Sequence, residues 1–227
     1  MGRVRSGRRL IELSHPIEPG MTTYPGLPGP IVSDYLSRED SRANYAPGTS
    51  FAIARIDLVV NTGTYVDAPF HRFAEGTDIA GLPLERLADL EGVVVAKGPG
   101  RAFETELFEG RDLAGKAVLL KSGWDSRWRT PAYSEGNPYV TRAAALALVA
   151  ARPALVGIDS LNIDDTADGA RPAHTHLLEA GIPIVEHLRN LAALPDAGFR
   201  FHCAPAPFHG TGSFPVRAYA VIETETV

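Results

Sequence analysis

Four short apolar runs, GVVVAK, KAVLLKSG, PALVGID and IPIVEHL, constrain this chain more than any other feature. Each has strand length rather than helix length, and Gly, Pro or charge bounds it, as expected for buried strands. RRLIELSHPI, FRFHCAPAP and VRAYAVIET add further strand patterns. FAIARIDLVV alternates apolar and polar residues over Phe51–Asp57, which predicts a half-buried strand. Helical patterns are fewer. TRAAALALVAAR can be capped by Thr141 and stopped by Pro153, PAHTHLLEAG is closed by Gly181, and LPLERLADL predicts a short helix. Strands outnumber helices and mix with them irregularly. That favours an α/β fold with a mixed β-sheet over a strict doubly wound one. With 227 residues and no repeat, low-complexity tract or linker, a single domain over 1–227 is expected. The basic start GRVRSGRR, with no apolar segment behind it, reads as a solvated arm over residues 1–8 rather than a signal peptide.

Composition removes several functions. A formal charge of -5 gives no electrostatic footprint for nucleic acid. No apolar run approaches the roughly 20 residues of a membrane helix. One cysteine, Cys203, excludes an internal disulfide and fits a reducing, cytoplasmic setting, with a buried thiol the expected state.

Residues able to do chemistry fall in four segments at strand ends or adjoining loops, where a rigid sheet can position them. NTGTYVDAPFH, read as a loop of fixed shape between Gly63 and Pro69, holds Asn61, Tyr65, Asp67 and His71. Its bland alternative is an Asx-turn with a surface histidine. GIDSLNIDD holds Asp159, Asp164 and Asp165, the last taken as a solvated turn residue. His174 and His176 stand two apart, so a helix sends them to different sides and at most one easily reaches a shared site. Glu186 lies in an apolar strand, where a carboxylate is costly unless exposed, paired or bound to metal. FHGTGSF, with His209, reads as a structural loop that can touch ligand.

Taken in order, LSHPIEPGMTTYPG, NTGTYVDAPFH, LPLERL, AVLLKSGWD, LVGIDSLNID, GIPIVEHLRNL and SFPVRAYAV resemble the cyclase family that includes bacterial kynurenine formamidase and isatin hydrolase. The resemblance spans most of the chain and implies a swivelling β/β/α-like fold. The family loop is H-x-G-T-H-x-D-x-P-x-H. Here Asn61 and Tyr65 stand where the hydrolases have metal-binding histidines, Asp67 matches a metal ligand, and His71 matches an acid–base group. His174 and Glu186 match the pair that holds a second metal, and Tyr24 matches an aromatic substrate contact. An amide oxygen and an un-ionised phenol are poor ligands for zinc or manganese. The resemblance therefore implies no metal, or one divalent cation (zinc or manganese) on Asp67, His174 and Glu186. It also implies a homodimer or homotetramer, with the Pro/Gly loop at 18–30 crossing between chains.

The expectation drawn from this degenerate loop is a cyclase: ring closure or dehydration of a small polyketide-like or aromatic carbonyl substrate. His71 would be the base, Tyr65 the proton donor and Asp67 their catalytic neighbour, with Tyr24, Asn61 and His209 contacting substrate. Reaction partners already joined in one molecule need chiefly positioning and proton transfer. The alternative is a metal-dependent hydrolase of an arylformamide or cyclic amide. A third reading is a non-catalytic binding protein on the same scaffold, against which the joint presence of Asp67, His71, His174 and Glu186 argues.

Overall fold

Alternation along the central strands builds the layers of the molecule. The computed structural model describes residues 6–225. In chain order the strands are β1 (Ser6–Glu12), β2 (Ile31–Leu36), β3 (Ile53–Asp57), β4 (Tyr65–Asp67), β5 (Leu90–Ala96), β6 (Ala102–Phe103), β7 (Ala117–Lys121), β8 (Tyr139–Val140), β9 (Leu155–Ile158), β10 (Ile184–Glu186), β11 (Ala197–His202), β12 (Ser213–Pro215) and β13 (Tyr219–Glu225). The helices are α1 (Arg38–Ser41), α2 (Arg142–Ala151) and α3 (Pro172–Glu179). Nine strands form one sheet in the order β1-β13-β11-β5-β7-β9-β10-β4-β12. β5, β7, β9 and β10 run parallel at its centre, and antiparallel strands flank them on both sides.

Val93, Val95, Val118, Leu120, Val156, Ile158 and Ile184 face one side, where Ala144, Leu148, Ala173 and Leu177 of α2 and α3 cover them. The alternate residues Val94, Leu119, Leu155, Val185 and Val66 face the other side and pack with Leu13, Phe199 and Phe201 as the sheet curls. The result is the expected single α/β domain with a mixed sheet. α2 begins as expected: Thr141 Oγ1 accepts the Ala144 N–H at 3.2 Å, a cap that stabilises by about 1 kcal/mol.

Several expectations fail locally. LPLERLADL forms only a 3-10 turn at Leu84–Arg86, because Asp89 turns left-handed (φ 53°) and β5 begins at Leu90. β3 is exposed along its whole length rather than half-buried, since it pairs with β2 in a two-stranded ribbon outside the main sheet. The loop expected across residues 61–71 contains a strand, β4, buried between β10 and β12. Of the expected arm, residues 1–5 lie outside the described residues, while Gly7 and Arg8 pair with Thr224 and Glu223 in the sheet. Among the described residues no helix is long and apolar enough to cross a membrane. Cys203 is buried, and burial pushes its thiol pKa up.

Candidate active site

Strand register assembles the site. Side chains at Tyr65 and Asp67 share one face of β4, and residues directly opposite on neighbouring strands share that face too. Glu186 lies opposite Tyr65; Ile184 and Ser213 lie opposite Asp67. Because Ile184 faces α3, so do Tyr65, Asp67, Glu186 and Ser213. α3 supplies His174 to the same space, and the short turn Pro69–His71 supplies His71. A side chain on Gly212 would strike the His71 backbone at 2.4 Å, so glycine there is what lets that turn close onto β12.

His174 is fixed by Asp164. The Asp164 carboxylate accepts the Ala173 and His174 N–H groups at 2.6 and 3.1 Å, which caps α3, and also meets His174 Nδ1 at 2.7 Å. That leaves His174 Nε2 aimed at Asp67 Oδ2 (3.7 Å) and Glu186 Oε1 (3.6 Å). Glu186 in turn accepts the Ile163 N–H on Oε1 and the Tyr65 hydroxyl on Oε2, each at 2.6 Å. Asp67 Oδ2 is buried with no hydrogen-bond partner.

Ser213 fixes which nitrogen of His71 donates. Its hydroxyl proton goes to Asp67 Oδ1, while its oxygen accepts from Asn61 Nδ2 at 3.2 Å. The contact to His71 Nδ1 at 3.0 Å must then be donated by the imidazole, so in the neutral ring Nε2 carries the lone pair.

The charges are strongly coupled. Burial would lower His174, but Glu186, Asp164 and Asp67 raise it to about 10. Burial raises Glu186 to about 7 even with His174 beside it. Burial also works to raise Asp67, yet His174, His71 and Ser213 outweigh it and hold this carboxyl below its usual value. Tyr65 is pushed well above the ordinary phenol value by burial, Glu186 and Asp67.

Three buried carboxylates around one imidazole, with one carboxylate oxygen unpaired, make a donor set that fits a divalent cation. Ligands about 2.0–2.2 Å from a metal lie roughly 3–3.5 Å apart, near the 3.6 and 3.7 Å separations here. A metal-binding histidine whose other nitrogen is held by a carboxylate is the usual outer arrangement, and Asp164 supplies it. His71 also comes close to this set, but it stands 3.9 Å from Asp67 Oδ1, the oxygen that Ser213 occupies. Asp67, His71 and His174 each bring a ligand atom within 4.8 Å of the others, and Glu186 Oε1 lies 3.6 Å from His174 Nε2.

The cavity above these groups has a volume of about 360 Å³ and is lined by Tyr24, Asn61, Tyr65, His71, His174 and Glu186 among others. Six expected residues thus meet in one place, with Asp67 beneath them. His209 does not join them: its side chain is exposed and lies 3.4 Å from Asp78. His176 turns away to Arg142, and Asp165 pairs with Arg101 at the surface. Tyr24 and Leu27 of the 18–30 loop line their own chain's cavity. Sequence reasoning missed Ser213 entirely and gave Asp164 no role.

A family model described as Putative cyclase matches residues 11–165. The chain belongs to that family. Kynurenine formamidase of Geobacillus thermodenitrificans (strain NG80-2) is 29% identical over 210 residues, spanning 92% of this chain and 95% of that protein. Kynurenine formamidase of Polaromonas naphthalenivorans (strain CJ2) is 25% identical over 212 residues, spanning 92% and 89%. Among solved structures, isatin hydrolase A from Labrenzia aggregata superposes with a TM-score of 0.81 at 22% identity, covering 96% of this chain and 94% of that one. A potential metal-dependent hydrolase with cyclase activity gives 0.79 at 24%, covering 97% and 100%. These two likenesses establish the fold.

Proposed function

We propose that this protein is a metal-dependent hydrolase of a small arylformamide or cyclic amide, working with one divalent cation. The observation that carries the reading is the unpartnered Asp67 Oδ2 facing His174 Nε2, with His174 held from behind by Asp164. Asp67, His174 and Glu186 would hold the cation. A cation there supplies Lewis acidity, polarising a carbonyl and lowering the pKa of water.

The chain's own groups do the rest. His71, with Nδ1–H donated to Ser213, offers Nε2 as the base that takes a proton from the attacking water. As the C–O bond forms and the C–N bond breaks, the same imidazole returns that proton to the departing nitrogen. Tyr24 and Leu27 line the cavity and offer apolar contact to a substrate. Tyr65 orients Glu186 through its hydroxyl, so its proton is directed at a carboxylate rather than at substrate. That geometry, and a phenol held well above its usual pKa, support hydrolysis over ring closure with Tyr65 as proton donor.

The test is metal content of the purified protein together with hydrolysis of N-formylaniline. Chelation should abolish aniline release, and zinc or manganese should restore it. Hydrolysis that persists without any bound cation would sink the reading. We also infer that the chain works as a homodimer or homotetramer. Ile31, Val32, Tyr35, Ile53 and Ile56 of the β2–β3 ribbon are exposed and offer apolar surface for a second copy. A monomer in light scattering at micromolar concentration would end that part.

A further inference from the structure

A second cavity, of about 330 Å³, shares no lining residue with the active-site cavity. The chain leaving β1, the turn after β10 and the link between β12 and β13 enclose it, through His15, Arg189 and Arg217. Val216 in its wall packs with Val66, whose side chain points away from Asp67 and α3. Backbone bonds fix the two residues that matter most. The Arg189 N–H donates to the Leu13 carbonyl at 3.0 Å, and the His15 N–H to Thr64 Oγ1 at 3.0 Å. The His15 ring lies flat on Trp128, with centroids 4.0 Å and planes 12° apart.

Two nitrogens here have nothing to bind. His15 is 8% exposed, and its Nε2 is buried without a hydrogen-bond partner. Arg189 Nε is buried without one too, the only guanidinium nitrogen in that state among the described residues. A buried polar group left unpaired carries its full desolvation cost until a partner arrives. The neighbours do not supply that partner. Glu12 meets Arg217 at 2.7 Å through one carboxylate oxygen and accepts the Ser14 N–H at 3.4 Å on the other. Ser14 Oγ donates to the Val216 carbonyl and accepts the Ala218 N–H. Unlike Arg129, Arg200 and Arg217, Arg189 meets no carboxylate among the described residues.

Charge and shape define what is missing. Glu12 and Arg217 offset each other, so Arg189 leaves one positive charge in the cavity wall. Burial, and then Arg189, lower His15 to about 4, so its ring is neutral near pH 7 and has one N–H to donate. A guanidinium fork matches a carboxylate better than a point charge does. Pro16, Ile17 and Val216 add an apolar wall for the rest of a small molecule.

We propose that His15 and Arg189 form a second, non-catalytic binding site for a small organic monocarboxylate, on the sheet face opposite the active site. One carboxylate oxygen accepts from Arg189 and the other from His15 Nε2, while the alkyl or aryl part lies against Ile17 and Val216. The site is independent of the hydrolase reading, since it uses none of the residues that line the active-site cavity.

Butyrate and butyramide, equal in shape and different in charge, test it by tryptophan fluorescence, because Trp128 lies against the His15 ring. Titrated into the full chain at about pH 7, butyrate should give a saturable change and bind roughly tenfold or more tightly than butyramide. Arg189→Gln should remove most of that preference, and Arg189→Lys, which keeps the charge without the fork, should fall between. His15→Phe keeps the stack and should weaken butyrate by about threefold to tenfold. Asp67→Asn, at the proposed cation site, should titrate like the wild type. Circular dichroism confirms that each variant is folded. Equal binding of the two probes overturns the proposal, as does the absence of any response or a preference that survives Arg189→Gln. Loss of the butyrate response in Asp67→Asn also overturns it, since the acid then sits in the active site. Inorganic phosphate binding at least as tightly as butyrate overturns the assignment to a monocarboxylate.

Discussion

His174 and His187 are both buried and both stand beside the end of β10, yet their imidazoles are driven in opposite directions. Three carboxylates overcome burial at His174 and raise it to about 10. At His187 burial dominates, His15 adds to it, and the imidazole falls to about 3. The neighbours of His187 are the Tyr133 hydroxyl at 2.8 Å from Nδ1 and the rings of Trp128 and Tyr65 at 5.6 and 5.2 Å. Burial alone therefore does not mark a functional histidine. The density of carboxylates around it separates the two, and one step along the chain from Glu186 to His187 crosses from a carboxylate cluster into an aromatic one.

The largest expected effects come from dismantling the carboxylate side of that comparison. Asp67→Asn and His174→Ala each remove one of the three proposed ligands, and turnover of N-formylaniline should fall by roughly 10³-fold or more with loss of bound cation. Asp164→Asn leaves all three ligands in place and loosens only the grip on His174 Nδ1. Cation affinity should drop about 10–100-fold, the usual scale for such an outer partner. Metal titration of the three variants checks the order. If Asp164→Asn costs as much as Asp67→Asn, Asp164 is itself a ligand and the assignment of Glu186 must be revised.

The residues that meet in the cavity were legible in the sequence because the family loop and the P-A-H and I-V-E segments keep their spacing. Their surroundings were not. Ser213 meets Asp67 across 146 residues of chain, and nothing in FHGTGSF marks a serine that would lie opposite Asp67 in a sheet. β4 is three residues long between Gly63 and Pro69, too short for an alternation pattern to emerge. The apolar runs gave up the central strands because strands covered on both faces must be apolar throughout. Alternation in FAIARIDLVV carried no such guarantee: it records two faces, not whether anything covers either one.

The aromatic side of the comparison can be tested through pH. His15 stacks on Trp128 at 4.0 Å, has an unpartnered Nε2, and is lowered to about 4 by burial and by Arg189. A depressed histidine is neutral in the folded state while the unfolded chain takes up a proton. Its stabilising contribution is therefore complete above about pH 6.5 and is lost as pH falls toward 4, by at most about 1.4 kcal/mol per pH unit. His187, lowered to about 3, acts with the same sign as His15, and Glu186, raised to about 7, acts with the opposite sign between its unfolded value and 7, so the wild-type curve alone mixes these contributions. His15→Phe keeps the stack and removes only the titration. Urea unfolding at about pH 7 and about pH 5 should show a smaller acid loss in the variant than in the wild type. An identical loss in both proteins would show that His15 is not held neutral.

The smallest effect expected is the one that separates the two readings of Tyr65, which lies between these regions. Its hydroxyl donates to Glu186 on the carboxylate side, and its ring tilts against His187 at 5.2 Å on the aromatic side. Tyr65→Phe keeps the ring and removes one donor from Glu186. A general acid lost from the reaction would cost roughly 10²–10⁴-fold in turnover. Loss of an orienting hydrogen bond, with the carboxylate still held by the Ile163 N–H, should cost about tenfold or less. The variant should also bind cation at least as readily as a Glu186→Gln variant, which loses the charge itself. Turnover of N-formylaniline by Tyr65→Phe decides the matter: a loss beyond 10²-fold would return the phenol to the role of proton donor and restore ring closure as the stronger reading.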